Sequence, residues 1–325
     1  MSSQNITGLK VGNDVHGIYV LNEISSPIPY KNNKSGSWLS LKVSDKTGHI
    51  EAKFWGADMN SIDCAELCSS LKIGDVLEIS GKVESYQNNP PSISIRPGGI
   101  SKKNIGEYDP TDFVSKTDKD IDSMVDELKT TIQTISNHDI KRLLNAFVED
   151  EQFMKKFTSS PAAKKLHHAK IGGLLEHVIS LLALSLKVVE KHPELDKDYL
   201  IAGCVLHDIG KIVEYQVSTL IDITDEGRML GHISIGQKMV SDKISSLENF
   251  PESIKLKIIH MILSHHGELA KGSPVKPCFP EAIAFAKIDD IDAQIQRVID
   301  MKHDNPDKEW IWMEEFQNNS SLYLK

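Results

Sequence analysis

The chain has 325 residues, 40% of them hydrophobic, and a formal net charge of −9. That length favours two domains over one, and the apolar fraction is enough for proper cores. No run approaches the roughly 18 uninterrupted apolar residues of a membrane span, and the polar N-terminus lacks a signal-peptide core, so the sequence reads as soluble and cytoplasmic. Four cysteines (Cys64, Cys68, Cys204, Cys278) are too few and too scattered for a disulfide framework or a zinc ribbon. The charge is uneven: residues 1–103 carry 11 basic against 10 acidic side chains, the remainder 26 against 36. An acidic total argues against nucleic acid only weakly when the excess lies where cations would offset it.

Residues 8–100 read as short strands. Gly17–Asn22 alternates, and so does Trp38–Ser44, with Leu39, Leu41 and Val43 on one side. Asp45-Lys46-Thr47-Gly48 turns into Ile50–Trp55, where Ile50, Ala52 and Phe54 share a side. A helical piece near 61–71, a strand over Val76–Tyr86 and another at Ser92–Arg96 follow. Three strands, a helix and two strands match the five-stranded OB barrel. If the apolar side fills that barrel, Trp38 and Lys42 point outward from one strand and Lys53 and Trp55 from the next, with Tyr86 in reach. Aromatics interleaved with lysines suit stacked bases and phosphates. The competing reading is that the tryptophans pack against a neighbouring domain.

The predicted organisation is 1–105 as the barrel, 106–160 as a helical linker and 161–325 as a helical domain. Leu128, Ile132 and Ile135, then Leu143, Leu144, Phe147 and Val148, fall at helical spacing within the linker. Beyond Ser159-Ser160-Pro161 the pattern is almost entirely helical to about Phe316. A hairpin is expected over Leu220–Thr224 and Arg228–Leu230, turning at Asp225-Glu226-Gly227. Trp310, Trp312, Phe316 and Tyr323 pack either on their own domain or on another subunit, which leaves a homo-oligomer open.

Several metal-competent side chains interrupt apolar stripes in this half. His177 falls on the seam of Leu174, Leu181, Leu184 and Val188. His207 lies on the stripe of Leu200, Gly203 and Cys204, beside Asp208, with Gly210 freeing the chain to turn and Lys211 just beyond. His265 continues the row Ile254, Ile258, Met261, and His266 continues Ile259 and Ile262. Asp289 shares a face with Ala282, Phe285, Ala286 and Ala293; Asp292 borders that face. Asp290 and His260 fall elsewhere and are not counted. His232 starts a helix after the expected hairpin. Any one of these histidines alone would be read as a hydrogen-bonded core residue. Together they present a burial problem that shared cations solve, because an unpaired buried charge costs several kcal/mol.

The ordered set His177, His207-Asp208, His232, His265-His266, Asp289 resembles the HD superfamily of metal-dependent phosphohydrolases. His168 before Gly172-Gly173-Leu174-Leu175-Glu176-His177, then Leu206–Lys211, Gly231-His232-Ile233, Met261–Glu268 and 289–293 are similar to the YhaM-type 3′–5′ exoribonucleases, which also carry an N-terminal OB domain. The resemblance implies that His177, His207, Asp208 and Asp289 hold one divalent cation. Asp208 would be shared with a second, held by His232, His265 and His266, with the choice between the last two left open. It implies Mn²⁺, with Fe and Mg²⁺ also compatible with the ligand types. It further implies removal of 5′-mononucleotides from single-stranded RNA, with single-stranded DNA a further substrate. Lys211 is placed to neutralise charge on a phosphate oxygen, or else is an exposed helix-end lysine. His168 contacts the substrate or leaving group, or else is a structural cap. The rivals are an HD-type hydrolase of nucleotides or cyclic dinucleotides, against which the lack of a Gly-Tyr-Pro motif after the His-Asp pair counts, and a non-enzymatic single-strand binder.

Overall fold

Alternation of apolar and polar residues organises the first part of the chain, and helical periodicity the rest. The computed structural model describes residues 4–30, 35–56, 62–86, 89–109, 112–164, 169–313 and 320–325. They fall into two compact units, Met1–Ser115 with Val217–Leu220, and Lys116–Gln216 with Ile221–Lys325.

The first unit contains β1 (Asp14–Ile24), β2 (Ile28–Pro29), β3 (Ser37–Asp45), β4 (Gly48–Trp55), α1 (Ile62–Ser70), β5 (Val76–Glu84), β6 (Ser92–Ile95) and β7 (Ile100–Lys102). Neighbours run β1-β3-β4-β6-β5, and β1 also pairs with β5, so five strands close into a barrel. Among the described strands of this barrel, only β4 and β6 pair in parallel. β1 serves both neighbours because its register shifts between Leu21 and Glu23, and a bulge there bends one long strand around the barrel. Leu39, Leu41, Val43, Ala52, Phe54, Leu77, Ile79, Ile93 and Ile95 fill the interior. The β3–β4 turn is held by Asp45, whose Oδ1 accepts from Thr47 N at 2.7 Å and Gly48 N at 3.2 Å. This is the OB barrel, with β2 and β7 as short additions.

The second unit is mostly helical: α2 (Ile121–Gln133), α3 (His138–Val148), α4 (Glu151–Ser159), α5 (Gly173–Lys191), α6 (Lys197–Leu206), α7 (Lys211–Glu214), α8 (Asp225–Ser245), α9 (Glu252–Ser264) and α10 (Pro280–Asp304). Side chains of Asp120, Asn137, Asp150, Asp196 and Thr224 cap the starts of α2, α3, α4, α6 and α8. Leu128, Ile132, Leu143, Leu144 and Phe147 of α2 and α3 share one core with Leu174, Val178, Leu200, Val205, Met261 and Phe285. The stretch expected as a linker therefore packs as part of the helical unit, and the change of unit falls at Ser115.

Three local expectations are corrected. The hairpin lies earlier than expected, as β8 (Tyr215–Val217) and β9 (Ile221–Ile223). Asp225-Glu226-Gly227 is not its turn but the first turn of α8, because Thr224 Oγ1 accepts from Gly227 N at 2.9 Å and the acids complement the helix N-terminus. The chain is not helical to Phe316 either: α10 stops at Asp304, and β10 (Trp310–Met313) pairs with β11 (Ser320–Tyr323), placing Trp310 opposite Tyr323. Trp310, Trp312 and Tyr323 are exposed; Phe316 lies outside the described residues. On α5, Leu184 is exposed rather than part of the seam, while Val178, Leu182 and Ser185 are buried. No helix among the described residues is long and apolar enough to cross a membrane.

Candidate functional site

Five segments of the helical unit bring ligand-type atoms together. α6 and α9 both end there, the first in His207-Asp208 and the second in His265-His266. A helix C-terminus carries partial negative charge and unpaired carbonyls, so two such ends favour a cation between them. His177 comes from the interior of α5, Asp289 from the interior of α10, and His232 from α8.

His232 is brought in by two glycines. Gly231 breaks α8 with φ +71°, a conformation that L side chains rarely adopt, and the helix restarts at His232. Gly210 has ordinary helical angles (φ −62°, ψ −20°), so the expected freedom to turn is not its purpose. A Cβ there would lie 2.0 Å from the His232 carbonyl oxygen and 2.7 Å from Gly236 N. The missing side chain lets the chain after Asp208 lie against α8 and puts His232 Nε2 3.4 Å from Asp208 Oδ1.

The imidazoles share one orientation. His207 Nδ1 donates to the carbonyls of Gly203 (3.2 Å) and Cys204 (3.1 Å), His265 Nδ1 to Ile262 O (2.7 Å), and His266 Nδ1 to Lys271 O (2.9 Å). His177 Nδ1 donates to Asp292 Oδ2 at 2.8 Å, and His232 Nδ1 to Glu214 Oε1 at 3.3 Å. A carbonyl or carboxylate only accepts, so each Nδ1 carries the proton. In the inward-facing histidines Nε2 is left to look inward, the arrangement by which outer partners fix metal-ligating histidines.

The inward atoms form two triads, His177–His207–Asp289 and His232–His265–His266, and within each the ligand atoms lie within 4.8 Å of one another. Asp208 stands between them: Oδ2 is 3.1 Å from His207 Nε2, and Oδ1 is 3.7 Å from His265 Nε2. Nε2 of His207, His232 and His265 and Oδ1 of Asp208 are buried without a hydrogen-bond partner. Leaving four such atoms unpaired would cost about 1–3 kcal/mol each, and divalent cations at this donor set would satisfy them together. The residues fit metal ions.

The electrostatics agree. Burial by itself would raise the Asp208 carboxyl, but the neighbouring His207 and Lys211 outweigh it and hold it well below the usual range. Asp289 is lowered likewise, burial being outweighed by its hydrogen bond to His177 and by His207. Burial opposes a charge on His177, yet hydrogen bonds to Asp289 (3.1 Å) and Asp292 outweigh it and raise the imidazole to about 9. Burial and the neighbouring His207 keep His265 neutral, well below the ordinary value. The protein holds carboxylates ionised against burial in this place, as metal ligands must be.

Lys211 is not an exposed helix-end lysine. Its side chain is 11% exposed, and Nζ donates to Asp208 Oδ2 at 2.5 Å. His168 lies outside the described residues. His260 and Asp290 stay out of the cluster: His260 Nε2 accepts from Cys278 N at 3.1 Å, and Asp290 pairs with Lys271 at 2.7 Å. Asp292 is an outer partner of His177, itself held by Ser180. Sequence reasoning missed Glu214 and Ser180; neither breaks an apolar stripe, so neither left a signal.

On the barrel, Trp38 and Trp55 are cross-strand partners on the outer face, half-buried, with ring centroids 5.6 Å apart. Lys53 Nζ lies 5.9 Å from the Trp38 ring. Trp55 donates to Ser94 Oγ at 3.0 Å. Tyr30, not anticipated, stacks on Trp55 at 6.2 Å with planes 10° apart. Lys42 pairs loosely with Glu23 at 3.6 Å, and Tyr86 is exposed. The tryptophans pack on each other and on Tyr30, giving a continuous aromatic surface flanked by lysines.

Comparison with known proteins follows the same division. The HD domain family matches residues 174–294, and a family of OB-fold nucleic acid binding domains matches residues 23–100. The second OB-fold domain of replication protein A from Methanococcus maripaludis aligns with 33% of this chain and 98% of its own, at 21% identity and a TM-score of 0.26. The 3′–5′ exoribonuclease YhaM of Shouchella clausii (strain KSM-K16) is 35% identical over 289 residues, covering 88% of this chain and 85% of that protein. With both family matches in the same order as the barrel and the histidine cluster, the chain belongs to the YhaM family of 3′–5′ exoribonucleases.

Proposed function

We propose that this chain hydrolyses single-stranded RNA from its 3′ end to 5′-mononucleotides, using two divalent cations in the helical unit and the aromatic face of the barrel to hold the strand. Single-stranded DNA is a second substrate in this reading. One observation carries it: every histidine of the cluster is turned by a bond at Nδ1 so that its other nitrogen is left for the interior, around a shared, ionised Asp208. His177, His207 and Asp289 would hold the first cation, His232, His265 and His266 the second, with Asp208 common to both. Both His265 and His266 are ligands in this reading, since their Nδ1 atoms are equally engaged by peptide carbonyls. Oxygen and imidazole donors suit Mn²⁺.

Bound there, such cations supply Lewis acidity to the phosphodiester and lower the pKa of an attacking water. The protein's own part is orientation and charge. Lys211, held at Asp208, stands ready to offset negative charge on a substrate phosphate oxygen. Trp38, Trp55 and Tyr86 stack on bases, while Lys42 and Lys53 attract the backbone. His168 is assigned a contact with the departing nucleotide.

A 5′-labelled RNA oligonucleotide incubated with the protein and Mn²⁺ tests this. Stepwise shortening from the 3′ end is expected, and chelation should stop it. Asp208→Ala should abolish hydrolysis while leaving RNA retention nearly intact. Hydrolysis of free nucleotides alone would move the protein to the nucleotide phosphohydrolases, and binding without cleavage would make it a single-strand binder.

A further inference from the structure

The two triads differ in charge. His177–His207–Asp289 includes a carboxylate of its own, whereas His232–His265–His266 is made of imidazoles alone. A cation at the second triad would meet a ligand carboxylate only at Asp208, which it would share, and would bind more weakly for that reason.

The histidines also differ in what stands behind them. His207, His265 and His266 rest on peptide carbonyls. Only His177 and His232 rest on carboxylates, one in each triad: Asp292 behind the first and Glu214 behind the second. A carboxylate behind an imidazole raises the basicity of the inward nitrogen more than a neutral carbonyl does.

Glu214 does more than face the ring. Oε1 also accepts the backbone N–H of His232 at 3.1 Å. That N–H follows the break at Gly231, so it opens a helical segment and has no carbonyl of its own helix to reach. Glu214 acts as the cap of the segment His232 begins, contributed by α7, and is buried. One carboxylate thus fixes both the backbone and the ring of a single residue, at the triad that has no acid of its own.

We propose that Glu214 is a positioning residue that sets the affinity of the second cation, while Asp292 does the same for the first. The proposal rests on the two-cation reading above. Loss of Glu214's charge makes the protein a one-cation form at Mn²⁺ concentrations that fill both sites of the wild type.

The test uses the 325-residue chain, stripped by chelation and titrated with Mn²⁺ alone, free Mn²⁺ being read by paramagnetic resonance. The wild type is expected to bind two Mn²⁺ in a tighter and a looser step. Glu214→Gln keeps the reach and removes the charge; it should weaken the looser step by about 10–100-fold and leave the tighter one in place. Asp292→Asn should move the tighter step instead. In Glu214→Gln the Mn²⁺ concentration for half-maximal RNA hydrolysis should rise by the same factor, with kcat restored at saturating Mn²⁺, which a merely structural defect would not allow. If Glu214→Gln does not fold, Glu214→Asp, charged but too short to reach both groups, carries the same titration. No change in either step, or equal weakening of both, overturns the proposal. A wild type that binds a single Mn²⁺ instead overturns the two-cation reading on which it stands.

Discussion

Gly210→Ala sets two principles against each other. Gly210 has helical backbone angles, so intrinsic preference alone makes alanine the better residue, by about 1 kcal/mol. The added Cβ, however, would lie 2.0 Å from the His232 carbonyl oxygen, 2.8 Å from its carbon and 2.7 Å from Gly236 N. These are backbone atoms, which cannot rotate away as a side-chain tip would. Relief to even 3.0 Å moves the start of the second half of α8 by about 1 Å, a strain of the order of 1–3 kcal/mol for overpacked sites. The clash therefore outweighs propensity, with a net loss of about 0–2 kcal/mol after the propensity gain. The same shift carries His232 away from Asp208, now 3.4 Å off. A displacement near 1 Å at a catalytic group costs about 100-fold in rate. Urea unfolding of the metal-free chain gives the first quantity and RNA hydrolysis at fixed Mn²⁺ the second. A Gly210→Ala protein more stable than the wild type and equally active would refute the close-approach argument.

Two further perturbations separate the barrel from the cluster and the caps from both. Trp38→Ala and Trp55→Ala should each weaken RNA binding by about 1–3 kcal/mol, read by filter retention, while cleavage of mononucleotide-length ends at saturating substrate stays near the wild-type rate; normal binding by the double variant would remove the aromatic face from the reading. Asp150→Ala should cost about 0.5–2 kcal/mol in urea unfolding at neutral pH, since Asp150 caps α4 at Gln152 and Phe153. Its carboxyl is lowered by the hydrogen bond from Phe153 N and by Lys243, 3.2 Å away. A lowered folded value means that stability is present above the unfolded carboxylate range and lost as pH falls through the folded one. The gap between wild type and variant should accordingly shrink below about pH 4, and a gap constant down to pH 2 would contradict this.

Most of the candidate ligands were legible because they disturb a regular pattern; His232, at the start of a segment, disturbs none. His177 and Asp289 interrupt apolar helix stripes, and Leu39–Leu41–Val43 against Trp38–Ser40–Lys42 is a strand with one face in the barrel. Such signals repeat every two or every three to four residues and survive without knowledge of tertiary structure. What stayed hidden depends on atoms far apart in sequence. Gly210 looks like a turn glycine until the carbonyl of His232 is seen against it. Thr224-Asp225-Glu226-Gly227 has turn composition and helix-cap composition at once, and the packing of α8 decides for the cap. Tyr30 meets Trp55 only because β2 pairs with β3.

The outer partners divide in the same way. Where a histidine closes a helix, its Nδ1 finds a carbonyl three or four positions back, which the helix end leaves unpaired; His207 with Gly203 and Cys204, and His265 with Ile262, are examples. His207 and His265 thus take their orientation from the helix each one closes, whereas His266 is turned by Lys271 O, five residues further along the chain. His177, inside α5, and His232, at the start of a segment, have no such carbonyl to use. Each must borrow a carboxylate from elsewhere, 115 residues away for Asp292 and 18 for Glu214. The two carboxylate outer partners therefore fall where helix geometry cannot orient the ring, one in each triad.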